Sequence, residues 1–393
     1  MKLLILHNRY QRAGGEDAVV TNETAMLRAA GHDVHLELVS NDSIGGLGSK
    51  VRTLLATPYD ARRTTWMHEL LERTGADLVH IHNFFPLLTP AVHEAAAAHG
   101  VPVVQTLHNY RLICAGAMLM RDGEVCETCV SGNRAAAVVH RCYRGSVSGS
   151  AAVVAMQNRA ARAGTWGRAV TRFIALTEFA RQKFIEGGLP AERIVVKPNA
   201  LTAPALSDGR RSGALFVGRL SPEKGAAVLL RAWREVSGMA LTVIGDGPER
   251  AALEAMAPDN VTFLGQLGPD KVAEHMRSAQ MLIVPSVWYE GFPMTIIEAF
   301  AAGLPVIASD LGSLREIVTD GVLGRRFAPK DHAALAGIIN SAAAQPEQLA
   351  GWGRAARAAY EQRYTAAQNL TMLEAIYRDA LTERRPRLTP SAA

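Results

Sequence analysis

The sequence lacks the features that mark several common classes of protein. No run approaches the about 18 consecutive apolar residues that a membrane-spanning helix needs, and the apolar stretch after Met1 ends at His7, too soon for a secretory signal. No glycine-rich loop in the sequence has the full G-x-G-x-x-G pattern of a dinucleotide-dependent oxidoreductase. No RNA- or DNA-binding motif with interleaved aromatic residues is present. We therefore expect a cytoplasmic protein that binds no nucleic acid.

Net charge is small and uneven along the chain, at +5 overall. Residues 1–200 contain 22 Lys and Arg against 17 Asp and Glu, whereas the remainder contains 20 of each. The excess is densest from Arg111 to Arg172, where nine arginines occur with three acids. Two interpretations stay open. These arginines are ordinary solvated side chains, or they form a surface for a phosphate-bearing, lipid-linked acceptor and for peripheral contact with an anionic membrane at its inner face.

Short apolar runs alternate with helical patterns in two successive series. The first includes KLLILH, LVHIHN and VPVVQTLH, and the second includes ALFVGRL and MLIVPS. This alternation predicts an α/β fold with two Rossmann-like, doubly wound domains facing each other across a cleft. The expected division is 1–201 for an N-terminal domain with a Cys-rich insertion at 111–145, 202–212 for a linker, 213–360 for a C-terminal domain, 361–382 for a helix packing back on the first domain, and 383–393 for a tail.

A basic, glycine-rich loop opens the second series. Gly218 follows the strand ALFV, and Arg219 and Lys224 precede the next helix. Glycine permits close approach of a ligand, a helix amino end presents unpaired N–H groups, and two cations add positive charge. A diphosphate fits this arrangement, although a plain turn with two surface cations would give the same pattern.

Two glutamates, Glu290 and Glu298, flank a Gly-Phe-Pro turn. Glu290 follows the strand MLIVP, and Glu298 lies inside the next helix. The Glu298 carboxylate can accept hydrogen bonds from sugar hydroxyls while the helix amino end, near Met294 and Thr295, binds phosphate. The alternative is a solvated Glu298 and a Glu290 that only caps the helix.

Together these segments resemble the retaining glycosyltransferases of family 4. The resemblance covers nearly the whole chain in spacing and order. It implies the GT-B architecture, with a nucleotide sugar held mainly by the second domain and the acceptor on the side of the first. It rests on Glu290-x7-Glu298 with Gly291-Phe292-Pro293, on GRLSPEKG, on Gly245-Asp246-Gly247-Pro248 and on Ala302-Gly303-Leu304-Pro305-Val306-Ile307.

The resemblance implies roles for the matching positions of the second domain. Arg219 and Lys224 would hold the donor diphosphate and stabilise the leaving group. Glu298 would bind the ribose hydroxyls, and Glu290 would contact the donor sugar. The remaining implied donor-binding positions in this domain are Gly218, Gly291, Phe292, Met294 and Thr295.

In the first domain, Gly14 and Gly15 match the family's glycine loop, which approaches the donor phosphate. His108, in TLHNYR, matches a histidine near the donor sugar, so the implied catalytic residues are His108, Arg219, Lys224 and Glu290. Asn199 resembles the family's interdomain Pro-Asn-Gly turn and is expected to contact the donor, although Ala200 replaces the glycine.

The implied activity is transfer of a sugar from a UDP- or GDP-sugar to an acceptor hydroxyl, typical of bacterial cell-surface or exopolysaccharide glycan assembly. Cations and dipoles would support the departing diphosphate without a divalent metal ion at the donor site. No carboxylate clearly has the position of a second nucleophile, so attack on the face from which the diphosphate departs is favoured. The alternative from another class is a non-catalytic sugar-nucleotide sensor, or a zinc-bearing scaffold in a polysaccharide assembly complex.

The sequence has only four cysteines, and all lie between Cys114 and Cys142. The Cys126-x2-Cys129 core with these two flanking residues favours tetrahedral thiolate coordination of a structural zinc ion. Reduced thiols, two disulfides and an iron-sulfur cluster are the alternatives, and His140 is an alternative ligand.

Overall fold

The computed structural model describes residues 1–11, 14–202, 206, 209 and 211–383. No helix in these residues is both long enough and apolar enough to cross a membrane. The predicted tail at 383–393 lies outside the described residues except for Glu383, and the predicted linker at 202–212 is described only in part.

The chain forms two compact units, each built on one parallel sheet. This confirms the predicted α/β class with two doubly wound domains. The first unit comprises Met1–Leu119, Cys126–Pro198 and the described chain from Asn369 onward, and the second comprises Met120–Val125 and Asn199–Gln368.

The first unit contains a six-stranded parallel sheet with long apolar strands. In chain order its strands are β1 (Lys2–Arg9), β2 (Asp33–Ser40), β3 (Leu78–Asn83), β4 (Val103–Leu107), β7 (Arg172–Ala175) and β8 (Ile194–Val196). Between β4 and β7 the chain forms a short hairpin of β5 (Met120–Arg121) and β6 (Glu124–Val125), which belongs to the second unit. The order in space is β2-β1-β3-β4-β7-β8. β3 and β4 are buried at every position, as expected for central strands of a parallel sheet that is covered on both faces.

Helices connect the strands of the first unit. They are α1 (Gly15–Ala29), α2 (Leu47–Ala56), α3 (Ala61–Thr74), α4 (Ala91–His99), α5 (Ala135–Val139), α6 (Val147–Ala163), α7 (Thr165–Arg168) and α8 (Glu178–Glu186). The side chains of Asp60, Ser146 and Thr177 accept hydrogen bonds from backbone N–H groups at the starts of α3, α6 and α8. These caps explain where the three helices begin.

The second unit repeats the design with a different strand order. Its strands are β9 (Ala214–Val217), β10 (Leu241–Ile244), β11 (Val261–Gly265), β12 (Met281–Val284), β13 (Val306–Ser309) and β14 (Gly324–Phe327). They lie in the order β11-β10-β9-β12-β13-β14. Alternate residues of β9 enter two separate cores: Phe216 packs in the cluster that contains Trp233, and Leu215 in the cluster that contains Phe300. The sheet is therefore buried on both faces, as period-two alternation of side chains requires.

The helices of the second unit follow its strands. They are α9 (Ala226–Trp233), α10 (Arg250–Met256), α11 (Pro269–Ser278), α12 (Met294–Ala301), α13 (Gly312–Ile317), α14 (His332–Ala343) and α15 (Pro346–Arg363). A single 3₁₀ turn at Pro222–Lys224 precedes α9. Gly225 then adopts a left-handed conformation, so the α-helix begins two residues later than the helical pattern near Lys224 predicts.

The last helix, α16 (Ala366–Thr382), supplies side chains to the core of the first unit. Leu373 and Tyr377 pack in the cluster that contains Leu3 and Ile5. The Tyr377 hydroxyl also lies 2.7 Å from Nδ1 of His80 in β3. The predicted division at residue 361 differs from the observed one because α16 crosses from one unit to the other, at Gln368 and Asn369.

Candidate active site

The strand order of the second sheet creates a switch point between β9 and β12. β10 and β11 lie on one side of β9, while β12 to β14 continue on the other. The connections that leave β9 and β12 therefore diverge, and doubly wound sheets bind ligands outside the carboxyl ends of such strands. The GRLSPEKG loop follows β9, and the SVWYEGFP loop follows β12. The topology thus brings the two strongest sequence motifs to one place.

An ion pair between Lys224 and Glu290 joins the two loops. Lys224 Nζ lies 2.7 Å from Glu290 Oε1 and 3.0 Å from Oε2. The Ser286 hydroxyl donates to the same Oε1 at 2.7 Å, and the Lys224 ammonium lies 5.5 Å from the ring centre of Trp288. Glu290 is only 5% exposed. Its carboxylate is therefore fixed in one orientation by its two donors.

The backbone of these loops approaches neighbouring segments so closely that glycine is required. Gly225 has φ +69°, and a Cβ there would lie 1.9 Å from the Pro285 carbonyl oxygen. Gly245 has φ +141°, and a Cβ there would lie 1.9 Å from the Gly218 carbonyl oxygen. The Gly218 N–H in turn donates to the Ile244 carbonyl at 3.0 Å. The shape of the site therefore depends on contacts that no larger residue allows.

The two predicted diphosphate-binding cations differ in their electrostatic state. Lys224 is already paired with Glu290. Arg219 is exposed, and within the described chain no ion pair includes it. Arg219 therefore carries the uncompensated positive charge of the site, and Lys224 offers an anion only the charge that Glu290 leaves unneutralised.

Helix α12 begins at Met294, directly after the loop that carries Glu290. Pro293 is its N-cap and provides no side-chain hydrogen bond, so the N–H groups of Met294 and Thr295 have no intrahelical acceptor. A helix end of this kind favours an anion. Further along α12, burial raises the pKa of Glu298. A desolvated carboxyl gains from donors such as ligand hydroxyls.

Two further predicted residues complete the turn before α12. Ser313 donates to the Gly291 carbonyl at 3.4 Å, and the ring of Phe292 lies 6.1 Å from that of Tyr364. The structure thus places on the loops after β9 and β12, or on α12, the predicted residues Gly218, Arg219, Lys224, Glu290, Gly291, Phe292, Met294, Thr295 and Glu298. Their contacts with a donor remain predictions.

Gly14 and Gly15 lie in the first unit, at the amino end of α1. Gly14 is the N-cap, and its N–H donates to Asp17 Oδ2 at 2.8 Å. Both glycines are exposed, and a Cβ at either would meet nothing within 4 Å. Since the fold does not require glycine at either position, the absence of side chains leaves this helix end open.

His108 follows β4, is half-buried, and contacts an array of buried polar side chains in the first unit. Its Nε2 lies 3.0 Å from His82 Nδ1. His82 Nε2 lies 3.6 Å from Glu23 Oε2, and neither of these two atoms has a hydrogen-bond partner among the described residues. Lys197 donates to the other Glu23 oxygen, Oε1, at 2.6 Å. A line of polar groups therefore connects a buried ion pair to His108.

The charge of Glu23 determines where the protons lie in this array. Burial is the largest single influence and raises its pKa, but the charge and hydrogen bond of Lys197, together with His80 and His108, lower the pKa overall. An ionised Glu23 favours hydrogen on His82 Nε2. In that tautomer His82 Nδ1 accepts from His108 Nε2–H, and His108 Nδ1 is unprotonated. Burial lowers the pKa of His108 to about 3, and that of His82 well below its ordinary value. Both rings are therefore neutral at physiological pH.

Glu23, His80 and His82 place potential metal-ligand atoms within 4.8 Å of one another. Their surroundings oppose a divalent cation. His80 is hydrogen-bonded through both nitrogens to hydroxyl groups, at 2.7 and 2.8 Å, and the Lys197 ammonium already neutralises Glu23. The cluster is better suited to hold protons than a metal.

Asn199 is the first residue of the second unit and lies outside the loops that carry the other donor-binding candidates. Its side chain is buried, and its Oδ1 has no hydrogen-bond partner among the described residues. The expected donor contact stays a prediction.

The four cysteines lie in one insertion of the first unit, and none forms a disulfide. Burial, then the nearby thiols Cys114, Cys142 and Cys126, raise the pKa of Cys129 to about 11. However, no three of the sulfurs in this described segment lie within 4.8 Å of one another. The closed tetrahedral zinc site is therefore not borne out.

Sequence reasoning missed the partners of the predicted residues. Ser286 begins the SVWYEGFP loop but has no predicted role, and the pairing of Glu23 with Lys197 joins residues 174 positions apart. A signal did exist for His82. The strand LVHIHN places His80 and His82 on one face, where their ring centres lie 4.1 Å apart.

Comparison with known proteins identifies the family. The family described as "Glycosyl transferases group 1" matches residues 203–359, and "Glycosyl transferase 4-like domain" matches residues 14–200. The D-inositol 3-phosphate glycosyltransferase of Acidothermus cellulolyticus is 32% identical over 344 residues, which cover 80% of this chain and 70% of that protein. The chain therefore belongs to the glycosyltransferase family that these two descriptions name.

A second curated relative agrees with this family, and a solved structure agrees with the fold. The phosphatidyl-myo-inositol mannosyltransferase of Mycobacterium leprae is 34% identical over 190 residues, 44% of this chain and only half the length of that protein. HepE of Anabaena, solved in complex with UDP, is 20% identical with a TM-score of 0.66, and the match covers 96% of this chain and 100% of that one. The predicted GT-B fold class, with two Rossmann-like domains, is confirmed.

Proposed function

We propose that this glycosyltransferase moves a sugar from a UDP- or GDP-sugar to an acceptor hydroxyl with retention at the anomeric carbon. The observation that carries the proposal is the Lys224–Glu290 ion pair. It lies at the switch point of the second sheet, and Glu290 comes shortly before α12 in the chain. A cation, an oriented carboxylate and a helix amino end match a sugar joined to a diphosphate. We assign the reaction to bacterial cell-surface or exopolysaccharide glycan assembly, on the cytoplasmic side of the membrane.

The charged side chains of the candidate site in the second unit have distinct roles in this proposal. Arg219, the uncompensated cation, binds the diphosphate first, and Lys224 shares its charge between Glu290 and the phosphate. Glu298 binds the ribose hydroxyls, which replace the water that burial has removed from it. Solved structures of HepE contain UDP and UDP-glucose, which supports a uridine nucleotide.

We favour attack on the face from which the diphosphate departs. The bond between the anomeric carbon and the phosphate oxygen breaks, the bond to the acceptor oxygen forms, and the acceptor proton passes to the departing phosphate. Both oxygens of Glu290 are occupied by Lys224 and Ser286, which disfavours this carboxylate as a nucleophile. Arg219 and Lys224 support the leaving group, so no divalent ion is needed at the donor.

A thermal-shift screen against UDP, GDP, ADP and their sugar conjugates tests the donor site. We expect one nucleotide to raise the melting temperature and the Arg219→Ala/Lys224→Ala variant to lose the rise. Donor hydrolysis without acceptor distinguishes an enzyme from a sugar-nucleotide sensor or scaffold, since a binding protein has none. A covalent sugar adduct on Glu290 would contradict attack on the departing face.

We also propose that zinc binds the cysteine cluster when available. Three other thiols lie close enough to Cys129 to affect its pKa, and this proximity supports the proposal because zinc would replace the thiol protons and draw the sulfurs together. Elemental analysis of protein purified without chelators should find about one zinc per chain, and Cys126→Ser/Cys129→Ser should remove it. Equal zinc in the variant would contradict the assignment.

A further inference from the structure

The first unit contains a cavity of about 610 Å³ at its own switch point. β2 lies on one side of β1, and β3 and the remaining strands lie on the other. The cavity is bordered by Tyr10 and Gln11, which follow β1, and by Phe85 and Pro86, which follow β3. It therefore occupies the position where a doubly wound sheet binds a ligand.

The lining of this cavity is cationic and aromatic. Lys50, Arg111 and Arg144 contribute to the wall, and the described lining residues include no carboxylate. The Arg111 guanidinium lies 4.6 Å from the ring centre of Phe85 and 5.2 Å from that of Tyr143. This guanidinium packs near two rings and donates through Nη1 to the Ala115 carbonyl, which holds it in place, while its Nε–H remains available to a phosphate ligand.

Two polar groups are not satisfied by the fold, one on Arg111 in the cavity wall and one on Glu16, whose carboxyl interacts electrostatically with Arg111 and with Tyr10 of the wall. Arg111 Nε and Glu16 Oε1 are buried and have no hydrogen-bond partner among the described residues. Burial and the charge of Asp17 raise the pKa of Glu16 to about 8. At neutral pH this carboxyl is therefore mostly protonated, so it does not repel an anion and can donate a hydrogen bond.

Helix α2 supplies Lys50 to the wall and has an uncovered apolar face. Leu47, Val51 and Leu55 recur at every fourth residue and are 80%, 47% and 75% exposed. No residue of this helix is buried. Apolar side chains exposed along one face of a helix, beside a basic cavity, are typical of a surface that binds an amphiphile with an anionic head.

Three other arginines of the first unit are used by the fold. A second cavity, of about 470 Å³, includes Arg62 and Arg63. Arg62 pairs with Asp60 at 2.7 Å, and Arg63 donates to a backbone carbonyl at 2.8 Å. Arg159, in the arginine-rich stretch, pairs with Glu94 at 2.8 Å. These contacts leave the first cavity as the better anion site.

We propose that the 610 Å³ cavity binds the diphosphate of a lipid-carried acceptor, and that the Leu47, Val51 and Leu55 face of α2 binds its hydrocarbon tail at the membrane surface. The naming of this ligand as the acceptor rests on the proposed function. The diphosphate accepts hydrogen bonds from Arg111, Arg144 and Lys50, and the tail covers apolar area that is otherwise exposed to water.

Calorimetric titration of the full chain tests both halves of the ligand. The probes are geranylgeranyl diphosphate, inorganic pyrophosphate and geranylgeraniol, each below its micellar concentration. We expect geranylgeranyl diphosphate to bind about tenfold or more tightly than the other two. Lys50→Gln/Arg144→Gln should weaken it about tenfold, as should Leu47→Gln/Val51→Gln/Leu55→Gln. All five residues are exposed, so folding should persist, and Arg73→Gln/Lys271→Gln is the charge-matched control.

The outcomes separate this inference from the donor assignment. Pyrophosphate that binds as tightly as the lipid, with no effect of the α2 variant, would overturn a lipid source in favour of free phosphate. Equal binding by the cation variant and the control would overturn the cavity. The UDP-induced thermal shift is measured on the same variants. If it persists while lipid binding is absent, only the acceptor proposal fails, whereas loss of every nucleotide shift in the wild type contradicts the donor site.

Discussion

The ion pair between Lys224 and Glu290 fixes both side chains of the candidate site before any ligand binds. Glu290 is almost fully buried, and its carboxylate relies on Lys224 and Ser286 for donors. An anionic donor that attracts Lys224 must do so in competition with Glu290. Nucleotide binding and the orientation of this carboxylate are therefore linked.

Removing the lysine tests that link. We expect Lys224→Met to lower the free energy of unfolding by about 1–3 kcal/mol, because Glu290 remains buried with one donor fewer. Lys224→Met/Glu290→Gln should recover most of this loss yet still bind nucleotide weakly. Urea unfolding of the two variants and of Glu290→Gln gives the coupling energy, and additive effects would show that the pair is energetically unimportant.

The histidine array makes a separate prediction about His108. In His82→Phe the Nε2–H of His108 loses its acceptor, so its proton should redistribute between the two ring nitrogens. We expect turnover to fall with little change in KM for the donor. Nitrogen-15 NMR of the histidines measures the tautomer, with His93→Gln as control because His93 pairs with Gln105 instead. An unchanged His108 tautomer would contradict the array.

Glu16 predicts a pH dependence for the anion-binding cavity. Its pKa is raised to about 8, so it is neutral below that pH and negative above it. The charged groups nearest to it are Asp17 and Arg111, and the raised pKa of Tyr10, about 12, keeps that phenol neutral throughout. Affinity for geranylgeranyl diphosphate should therefore fall between pH 7 and pH 9. Glu16→Gln should remove the change, and an identical pH profile in this variant would contradict the assignment.

At the scale of elements, the loops that contain glycine show which glycines the fold requires and which it does not. Gly225 and Gly245 are required by close backbone contacts, whereas Gly14 and Gly15 are not. A sequence pattern cannot make this distinction. The contact that excludes a side chain at Gly225 is with Pro285, which is distant along the chain.

Two alanine substitutions measure the difference. Gly225→Ala should destabilise the second unit by about 2–4 kcal/mol, because of its left-handed backbone and the clash with the Pro285 carbonyl. Gly15→Ala should leave stability unchanged or raise it by up to about 1 kcal/mol, since alanine favours a helix. If Gly15 serves a ligand, turnover falls in this variant. Thermal melts and donor kinetics check both, and a stable Gly225→Ala would show that the loop can relax.

The elements were predicted well where local pattern determines them. KLLILH lies in β1 and LVHIHN forms β3, since apolar residues concentrated in short segments are typical of buried parallel strands. Helix α9 begins at Ala226 instead of near Lys224, because a 3₁₀ turn and a left-handed Gly225 come first. The ion pairs could not be predicted, since Lys224 and Glu290 are 66 positions apart and nothing local joins them.

For the whole molecule, the division of the chain depends on α16. Leu373, Ile376 and Tyr377 belong to the core of the first unit, although the second unit precedes them in sequence. Burial of each such side chain contributes about 1.5–3 kcal/mol. The first unit is therefore incomplete without residues from the far end of the chain.

A chain that ends after Gln368 should leave the two units with different stabilities. We expect hydrogen exchange to lose protection in β1, β3 and β4, while β9 to β14 keep theirs and the UDP-induced shift survives. Deletion of residues 384–393 alone is the control. Native protection of β1 in the shorter chain would show that α16 adds little.

The late position of α16 also orders events during synthesis. A ribosome releases the residues of the second unit before it releases Leu373 and Tyr377, so the second unit can close its cores while the first still lacks part of its own. Until then β1 and β3 have an incomplete apolar cover. Nascent chains of this enzyme should therefore present the N-terminal half, and not the C-terminal half, to chaperones for the longer time.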